Sequence, residues 1–216
     1  MSMRVEFDRA SVTRDGRRIL HETTLTLEPG TLTVVAGAAG SGKTTLLDLA
    51  AGLAPTAGVV KFDGTSVRDL AADSFPRGVT VVTATPFLVA PSIRQNLALG
   101  AAYEETALWQ ALRVAAIEDL PDGLDAAVVD PSLRPRLGLA RALLRRPRLL
   151  LLDDPLAALD ERTERQVLES LAALDITVLA TTTRPAVAEA AHQAALLEAG
   201  HLTPISTPSR PTYAAA

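Results

Sequence analysis

Two hydrophobic rhythms alternate along the chain. Near the N-terminus, "RVEF" and, more loosely, "RRILHETTLTLEPG" repeat with a period of two, and the second ends in a Pro-Gly turn. That period predicts strands. "TLTVVAG" is apolar without alternation, which predicts a buried strand. After a glycine-rich stretch, "KTTLLDLAAGL" takes helical spacing. "AGVVKFDG", closed by an Asp-Gly turn, and "GVTVVTATP" predict two further strands.

From Ser92 to about Leu143 the β pattern fades. "SIRQNLALG", "YEETALWQALRVAAIEDL" and "RLGLARALLRR" predict helices, with a turn at "PDGLD". Arg145 and Arg146 suit the C-terminal end of the last helix dipole, and Pro147 stops that helix. "RLLLLDD" predicts a strand and "ERTERQVLESLAAL" a helix that Asp160 can cap. "ITVLATT" predicts a strand, "PAVAEAA" a short helix, and "AALLEAGHLTPI" a closing hairpin. Strands and helices alternate at both ends around a helical block. This predicts one α/β domain over residues 1–203, a helical subdomain at about 92–143 and a flexible tail over 204–216.

Composition narrows the chemistry. The 216 residues are 48% apolar with a net charge of −4, so a folded core is expected and nucleic acid is not an expected partner. The absence of cysteine excludes thiolate catalysis and disulfides. His21, His192 and His201 show no metal-ligand spacing. The opening "MSMRVEFDRA" predicts no signal peptide, and no apolar run approaches the roughly 18 residues of a membrane span. A cytoplasmic location is expected, with any spanning done elsewhere.

Chemistry concentrates in two places. "GAAGSGKTT" fits G-x-x-x-x-G-K-[ST] between a predicted strand and a predicted helix, the context that identifies a phosphate loop. Gly37, Ala38, Ala39, Gly40, Ser41, Gly42, Lys43, Thr44 and Thr45 are therefore candidate ATP-binding residues. The glycines let backbone N–H groups turn toward phosphate oxygens, and the helix N-terminus adds partial positive charge. Lys43 can reach the β- and γ-phosphates, and Thr44 can offer its hydroxyl to Mg2+. The second place is "LLLLDDPLAALD", where four leucines lead into paired carboxylates. Burying a carboxylate without a partner is costly, so something positive belongs at the end of this strand. In P-loop proteins a second strand beside the loop ends in an Asp that helps to hold Mg2+; Asp153 fits that role.

Together these motifs resemble the nucleotide-binding domain of ATP-binding cassette (ABC) transporters, from about Arg4 to Leu202. "TLEPGTLTVVAGAAGSGKTTLLDLAAGLAPTAGVVKFDG" resembles the Walker A half. "LGLARALLRRPRLLLLDDPLAALDERTE" resembles the helix before Walker B, Walker B and the D-loop. "PFLVAPSIRQNLALG" and "LPDGLDAAVVD" resemble the helical region of exporter-type cassettes. The resemblance implies a P-loop NTPase core with a parallel sheet, an N-terminal antiparallel β subdomain and a helical insertion. It also implies an ATP hydrolase that works with a transmembrane subunit or domain at the inner face of the cell membrane.

Several family positions differ here. The Walker B glutamate that polarises water is matched by Asp154, one methylene shorter, and a displacement of about 1 Å can cost on the order of 10²-fold in rate. The switch histidine is matched by Thr183, the Q-loop glutamine by Ala84, and the adenine-stacking aromatic by Arg14, whose guanidinium can also stack. The signature loop is matched by "VDPSL", Val129–Leu133, which has no glycine, a proline without an N–H, and Ser132 two positions out of register. Candidate catalytic residues are Asp154, Lys43 and Thr183, and Thr44 and Asp153 are the candidate metal ligands.

Family cassettes pair head to tail around two ATP molecules. A homodimer of this chain has two doubly impaired sites, so the resemblance implies a heterodimer with another ATP-binding chain and slow hydrolysis. A regulatory ATP-binding subunit with little or no turnover is the second reading. "LARALLRRP", "DDPLAALD" and the insertion speak against a small-molecule kinase. The arginines between Arg134 and Arg148 read as a solvated helix face, and Tyr103 and Trp109 as packing.

Overall fold

The computed structural model describes residues 2–54, 57–69, 78–128 and 130–205. Val129, at the head of the segment matched to the signature loop, and residues 206–216 lie outside that set. The N-terminal alternation folds as expected. β1 (Val5–Arg14) and β2 (Arg17–Leu27) form an antiparallel hairpin. β1 also pairs antiparallel with β4 (Ala57–Phe62), and β5 (Thr65–Ser66) closes a four-stranded sheet ordered β2-β1-β4-β5.

The second sheet has the order β10 (His201–Ile205), β9 (Gln193–Glu198), β3 (Leu32–Ala36), β8 (Thr177–Thr182), β7 (Leu149–Asp153), β6 (Val79–Thr83). Strands β9, β3, β8, β7 and β6 run parallel, and β10 is antiparallel to β9. β10 reaches Ile205, two residues into the stretch expected to be tail.

The leucine run shows why a parallel strand is apolar throughout. Leu149 and Leu151 join the cluster that contains Leu46, Leu47 and Leu49 together with Phe7 and Val60 of the antiparallel sheet. Leu150 and Leu152 point the other way, into the cluster built with the helical insertion and the last helix. All four are fully buried. Both faces are covered, so no polar position is tolerated until the strand ends at Asp153.

Among the described residues five α-helices flank the sheet. α1 (Lys43–Ala50) starts after Gly42, whose φ of 110° suits only glycine, and ends before Gly52. α2 (Ile93–Ala98) is capped by Ser92, whose hydroxyl accepts from the Gln95 N–H at 3.3 Å. α3 (Glu105–Val114) stops six residues before the periodicity does. There Ala116 turns left-handed, and the Ile117 N–H donates back to Leu112 O at 2.9 Å, a helix-ending turn that buries Ile117 and Leu120 without further helix. α4 (Leu133–Leu144) carries Pro135 in its first turn, where no backbone donor is lost. α5 (Glu161–Ala172) begins at Asp160, whose carboxylate accepts from the Thr163 N–H at 3.0 Å, as its sequence predicts. Residues Pro185–Ala190 form a 3-10 helix rather than an α-helix.

Candidate functional site

The phosphate-loop sequence forms a tight turn between β3 and α1. The Gly37 N–H donates to Thr182 O at 3.0 Å, and the Ser41 carbonyl accepts from the Gly200 N–H at 3.0 Å. A Cβ on Gly37 would lie 2.4 Å from Leu197 O and 2.7 Å from Ser41 Oγ, so β9 presses directly on the loop and only glycine fits. Lys43 is buried, with Nζ donating to Gly37 O at 2.8 Å and Ala38 O at 2.9 Å. Its ammonium thus lies across the mouth of the turn made by Gly37, Ala38, Ala39, Gly40, Ser41 and Gly42.

The carboxylate at the end of β7 meets this loop. Thr44 Oγ1 donates to Asp153, 3.1 Å from Oδ1 and 3.0 Å from Oδ2. β7 is not the immediate neighbour of β3, because β8 lies between them. Asp153 therefore reaches Thr44 across the end of β8, so the leucine strand ends beside the loop although it does not pair with β3. Beside this pair opens a cleft of ≈ 530 Å³ whose walls include Ile19, Lys43, Thr45, Ala84, Asp153 and Asp154.

Asp154 sits one residue beyond the strand in a left-handed conformation, φ 49°. Its N–H donates to Thr181 Oγ1 at 3.1 Å, and its Oδ1 is buried without a hydrogen-bond partner among the described residues. Burial holds its carboxyl above the usual carboxylate range. Lys43 opposes that shift, Glu164 and Asp153 add to it, and Arg184 opposes it.

Two side-chain oxygens at Thr44 and Asp153, with an unpaired carboxylate oxygen nearby, fit Mg2+. That ion takes one or two protein oxygens and completes its shell with water and phosphate. Among the described residues no group of three or more His, Cys, Asp or Glu is arranged to hold a metal.

Other candidate residues lie outside the cleft walls. Thr183 follows β8 directly and is exposed, whereas its neighbours Thr181 and Thr182 are buried. Arg14 ends β1 and pairs with Asp48 of α1 at 3.1 Å. Ile19 of β2, not Arg14, lines the cleft. Sequence reading missed Ile19, which carries no motif of its own, and Thr83 and Thr85, which flank Ala84 at and just beyond the end of β6.

At the N-terminus of α4, Asp130 folds back on Ser132. Its Oδ1 accepts from the Ser132 N–H and its Oδ2 from Ser132 Oγ, both at 2.8 Å. Those bonds hold the Asp130 carboxyl below its ordinary range. Three of the arginines read as a solvated face make internal contacts. Arg136 Nη1 donates to Ala116 O at 3.0 Å, Arg141 Nη1 to Phe87 O at 2.9 Å, and Arg148 pairs with Asp63 at 2.6 Å. Arg134, Arg145 and Arg146 are exposed. Tyr103 and Trp109 pack against the larger core.

Comparison with known proteins gives concordant matches. The family described as ABC transporter matches residues 20–157. The heterocyst differentiation ATP-binding protein HepA of Nostoc sp. is 35% identical over 198 residues, covering 85% of this chain and 33% of that protein. The ATP-dependent lipid A-core flippase of Burkholderia thailandensis is 32% identical over 215 residues, covering 92% and 36%. A bacterial Atm1-family ABC exporter, solved with ATP bound, matches with a TM-score of 0.82 at 25% identity over 94% of this chain and 38% of that one. The chain spans about a third of the length of these relatives.

Proposed function

The chain belongs to the ABC transporter family, and we propose that it is an ATP-binding subunit that couples Mg-ATP binding, with weak hydrolysis, to an exporter-type membrane partner. The observation that carries this reading is the meeting of Thr44 and Asp153 beside the buried Lys43. An apolar strand that delivers a carboxylate to the N-terminus of a helix after a glycine-rich loop supports the binding of a magnesium nucleotide there.

In this reading the N–H groups of Gly37–Thr45 cradle the phosphates at the α1 N-terminus. Lys43 exchanges its two carbonyl partners for phosphate oxygens. Thr44 and Asp153 hold Mg2+, which neutralises charge on the phosphates. Asp154 orients water toward the γ-phosphate, from a carboxylate set back by one methylene. Ala84 offers no polar contact, and Thr183 is exposed beyond the strand. Hydrolysis is accordingly slow, and one ATP-binding domain over residues 1–203 is the working unit.

A membrane partner is supported by the surface around β6 and α4. A groove of ≈ 460 Å³ there is rimmed by Val81, Phe87, Val89 and Leu99, large apolar side chains left exposed, Phe87 by 78%. No described helix is long and apolar enough to cross a membrane. The site of action in this reading is the cytoplasmic face of the cell membrane, beside a transmembrane subunit or domain. A regulatory role with little or no turnover is the second reading. It is favoured by Asp130, whose carboxylate occupies Ser132 at the N-terminus of α4 and repels a phosphate presented by a second ATP-binding chain. That repulsion also favours a heterodimer over a homodimer.

Titration with a fluorescent ATP analogue tests the reading. The wild type binds with Mg2+ present, and Lys43→Ala loses binding while its circular dichroism is unchanged. Equal affinity in both removes the site from Gly37–Thr45.

A further inference from the structure

The loop that leaves Asp154 rests on an ion pair between a buried Glu164 and a half-buried Arg184. Glu164 of α5 has a side chain only 2% exposed. Its Oε1 accepts from Thr182 Oγ1 at 2.8 Å and its Oε2 from Arg184 Nη1 at 2.6 Å. The Arg184 guanidinium reaches further. Nη1 also donates to Leu159 O at 2.7 Å, and Nη2 donates to Ala157 O at 2.9 Å. The backbone N–H of Arg184 donates to Thr182 Oγ1 at 3.0 Å, so one hydroxyl joins both partners. The loop 154–159 and the start of α5 that follows it are thus tied at one point to the end of β8, about 20 residues further along the chain.

An ion pair with one buried member gives little net stability, because desolvation offsets most of the attraction. The value of this pair lies in what the guanidinium does next. Ala157 and Ala158 are exposed and have no side chain with which to anchor the loop. Inside the loop, the Ala157 N–H donates to Asp154 O at 3.3 Å and the Leu159 N–H to Leu156 O at 2.9 Å. The carbonyls of Ala157 and Leu159 are the ones that Arg184 takes. A planar fork of donors serves a carboxylate and two carbonyls at once, whereas a lysine ammonium of similar charge lacks that fixed geometry.

The geometry points to Arg184 as a positioning residue: oriented by Glu164, it fixes the turn Asp154–Leu159 and with it the direction in which Asp154 leaves β7 for the cleft. Its catalytic consequence rests on the nucleotide-site reading above; its structural consequence does not.

Three variants of the full chain test this: Arg184→Lys, Arg184→Met, and Arg184→Met combined with Glu164→Gln. The double variant removes the buried charge together with the guanidinium, so it preserves the fold where Arg184→Met alone leaves Glu164 unpaired. Amide hydrogen exchange, ATP-analogue affinity and single-turnover hydrolysis are measured on each. In the folded double variant, exchange at Ala157 and Leu159 rises by about tenfold or more while other core amides keep their protection. Arg184→Lys gives an intermediate rise. Affinity stays within about twofold of wild type, and single-turnover hydrolysis falls by roughly tenfold, a loss in the chemical step alone. Unchanged exchange at Ala157 and Leu159 in the folded double variant overturns the proposal. So does a loss of protection spread evenly over the chain, which marks Arg184 as a general stabiliser. A wild type that binds no nucleotide defeats the site reading instead, and the exchange comparison still decides the role of Arg184.

Discussion

Thr44 and Asp153 lie 109 residues apart in sequence, yet the hydroxyl of one is 3.1 and 3.0 Å from the two carboxylate oxygens of the other. The contact joins the first turn of α1 to the last residue of β7, across the end of β8. Neither residue needs the other for the stability of its own element. Thr44 is exposed and Asp153 half-buried, so a hydrogen bond between them is worth little to the fold. Their meeting places two oxygen donors side by side at the C-terminal edge of a parallel sheet, where ligands of such sheets bind.

The first prediction follows from that pair. Asp153→Asn removes the charge but keeps the shape. Affinity for the ATP analogue measured with Mg2+ should fall by roughly tenfold, as expected for losing a charge-assisted contact. Affinity measured with excess chelator should stay unchanged. An equal loss under both conditions assigns Asp153 to the phosphates or the fold rather than to the ion.

Two glycines of the loop should respond differently to alanine. Gly37→Ala puts a methyl group 2.4 Å from a backbone oxygen of β9, so the strand itself must move. A cost of about 1–3 kcal/mol in urea unfolding is expected, as for overpacked sites. Gly40→Ala meets nothing within 4 Å but sits at φ 78°, and should cost about 1 kcal/mol, from backbone strain alone, against a Gly37→Ala loss at the upper end of its range. Equal loss of stability in the two variants contradicts the contact between the loop and Leu197.

How far the sequence carried the reading depends on whether a feature is local. The P-loop and the leucine run are contiguous, and their periodicity or spacing alone locates β3, α1 and β7. The caps at Ser92 and Asp160 are equally local. What escaped is what tertiary packing decides. The end of α3 at Ala116 needs a left-handed alanine that no glycine announces. The place of β8 between β3 and β7 is a matter of strand order, which sequence spacing does not encode. Ile19 reaches the cleft because the antiparallel sheet lies against the loop: its carbonyl is 3.2 Å from where a Cβ on Gly42 would stand. The role of Arg184 was invisible because its partners lie 20 and more positions away.

Association should be weak without a different partner. Asp130 is bound to Ser132 at the N-terminus of α4, and in the proposed head-to-tail pairing a second chain would bring its ATP to that place. Light scattering of the purified chain with Mg-ATP is expected to give the monomer mass. A tight ATP-dependent homodimer would remove the electrostatic argument built on Asp130.

The acid limb of stability has a definite sign. Hydrogen bonds from Thr163 hold the Asp160 carboxyl below its ordinary value, and Arg94 does the same for Asp125. Each group protonates more readily in the unfolded chain, so its contribution is fully present above the unfolded value and is lost as pH falls through the folded one. Thermal midpoints measured from pH 7 downward should therefore hold until about pH 4 and then decline. In Asp160→Asn, which keeps an acceptor for the cap, the decline should be shallower. An identical acid limb in the variant shows that Asp160 does not titrate with unfolding.

The last prediction concerns rate. Asp154 keeps a carboxylate at the end of β7, but burial raises its pKa and one oxygen has no partner. A glutamate at this position carries its carboxylate one methylene further into the cleft, toward water and the γ-phosphate. On the proposed reading of slow turnover, Asp154→Glu should therefore raise single-turnover hydrolysis above the wild-type rate. Thr183 is exposed just past β8 and is not among the residues that line the cleft. In the proposed reading a histidine at this position would supply an imidazole toward the γ-phosphate. Adding Thr183→His to Asp154→Glu should increase the rate by more than the two single effects combined, because groups that position water and bind the phosphate act as a unit. Thr183→His alone should do little, since Asp154 still stands back from the water. Where a second ATP-binding chain is found to associate, the comparison is repeated with it present. A wild-type rate equal to that of the double variant makes Asp154 an adequate base as it stands, and the slow-turnover reading fails with it.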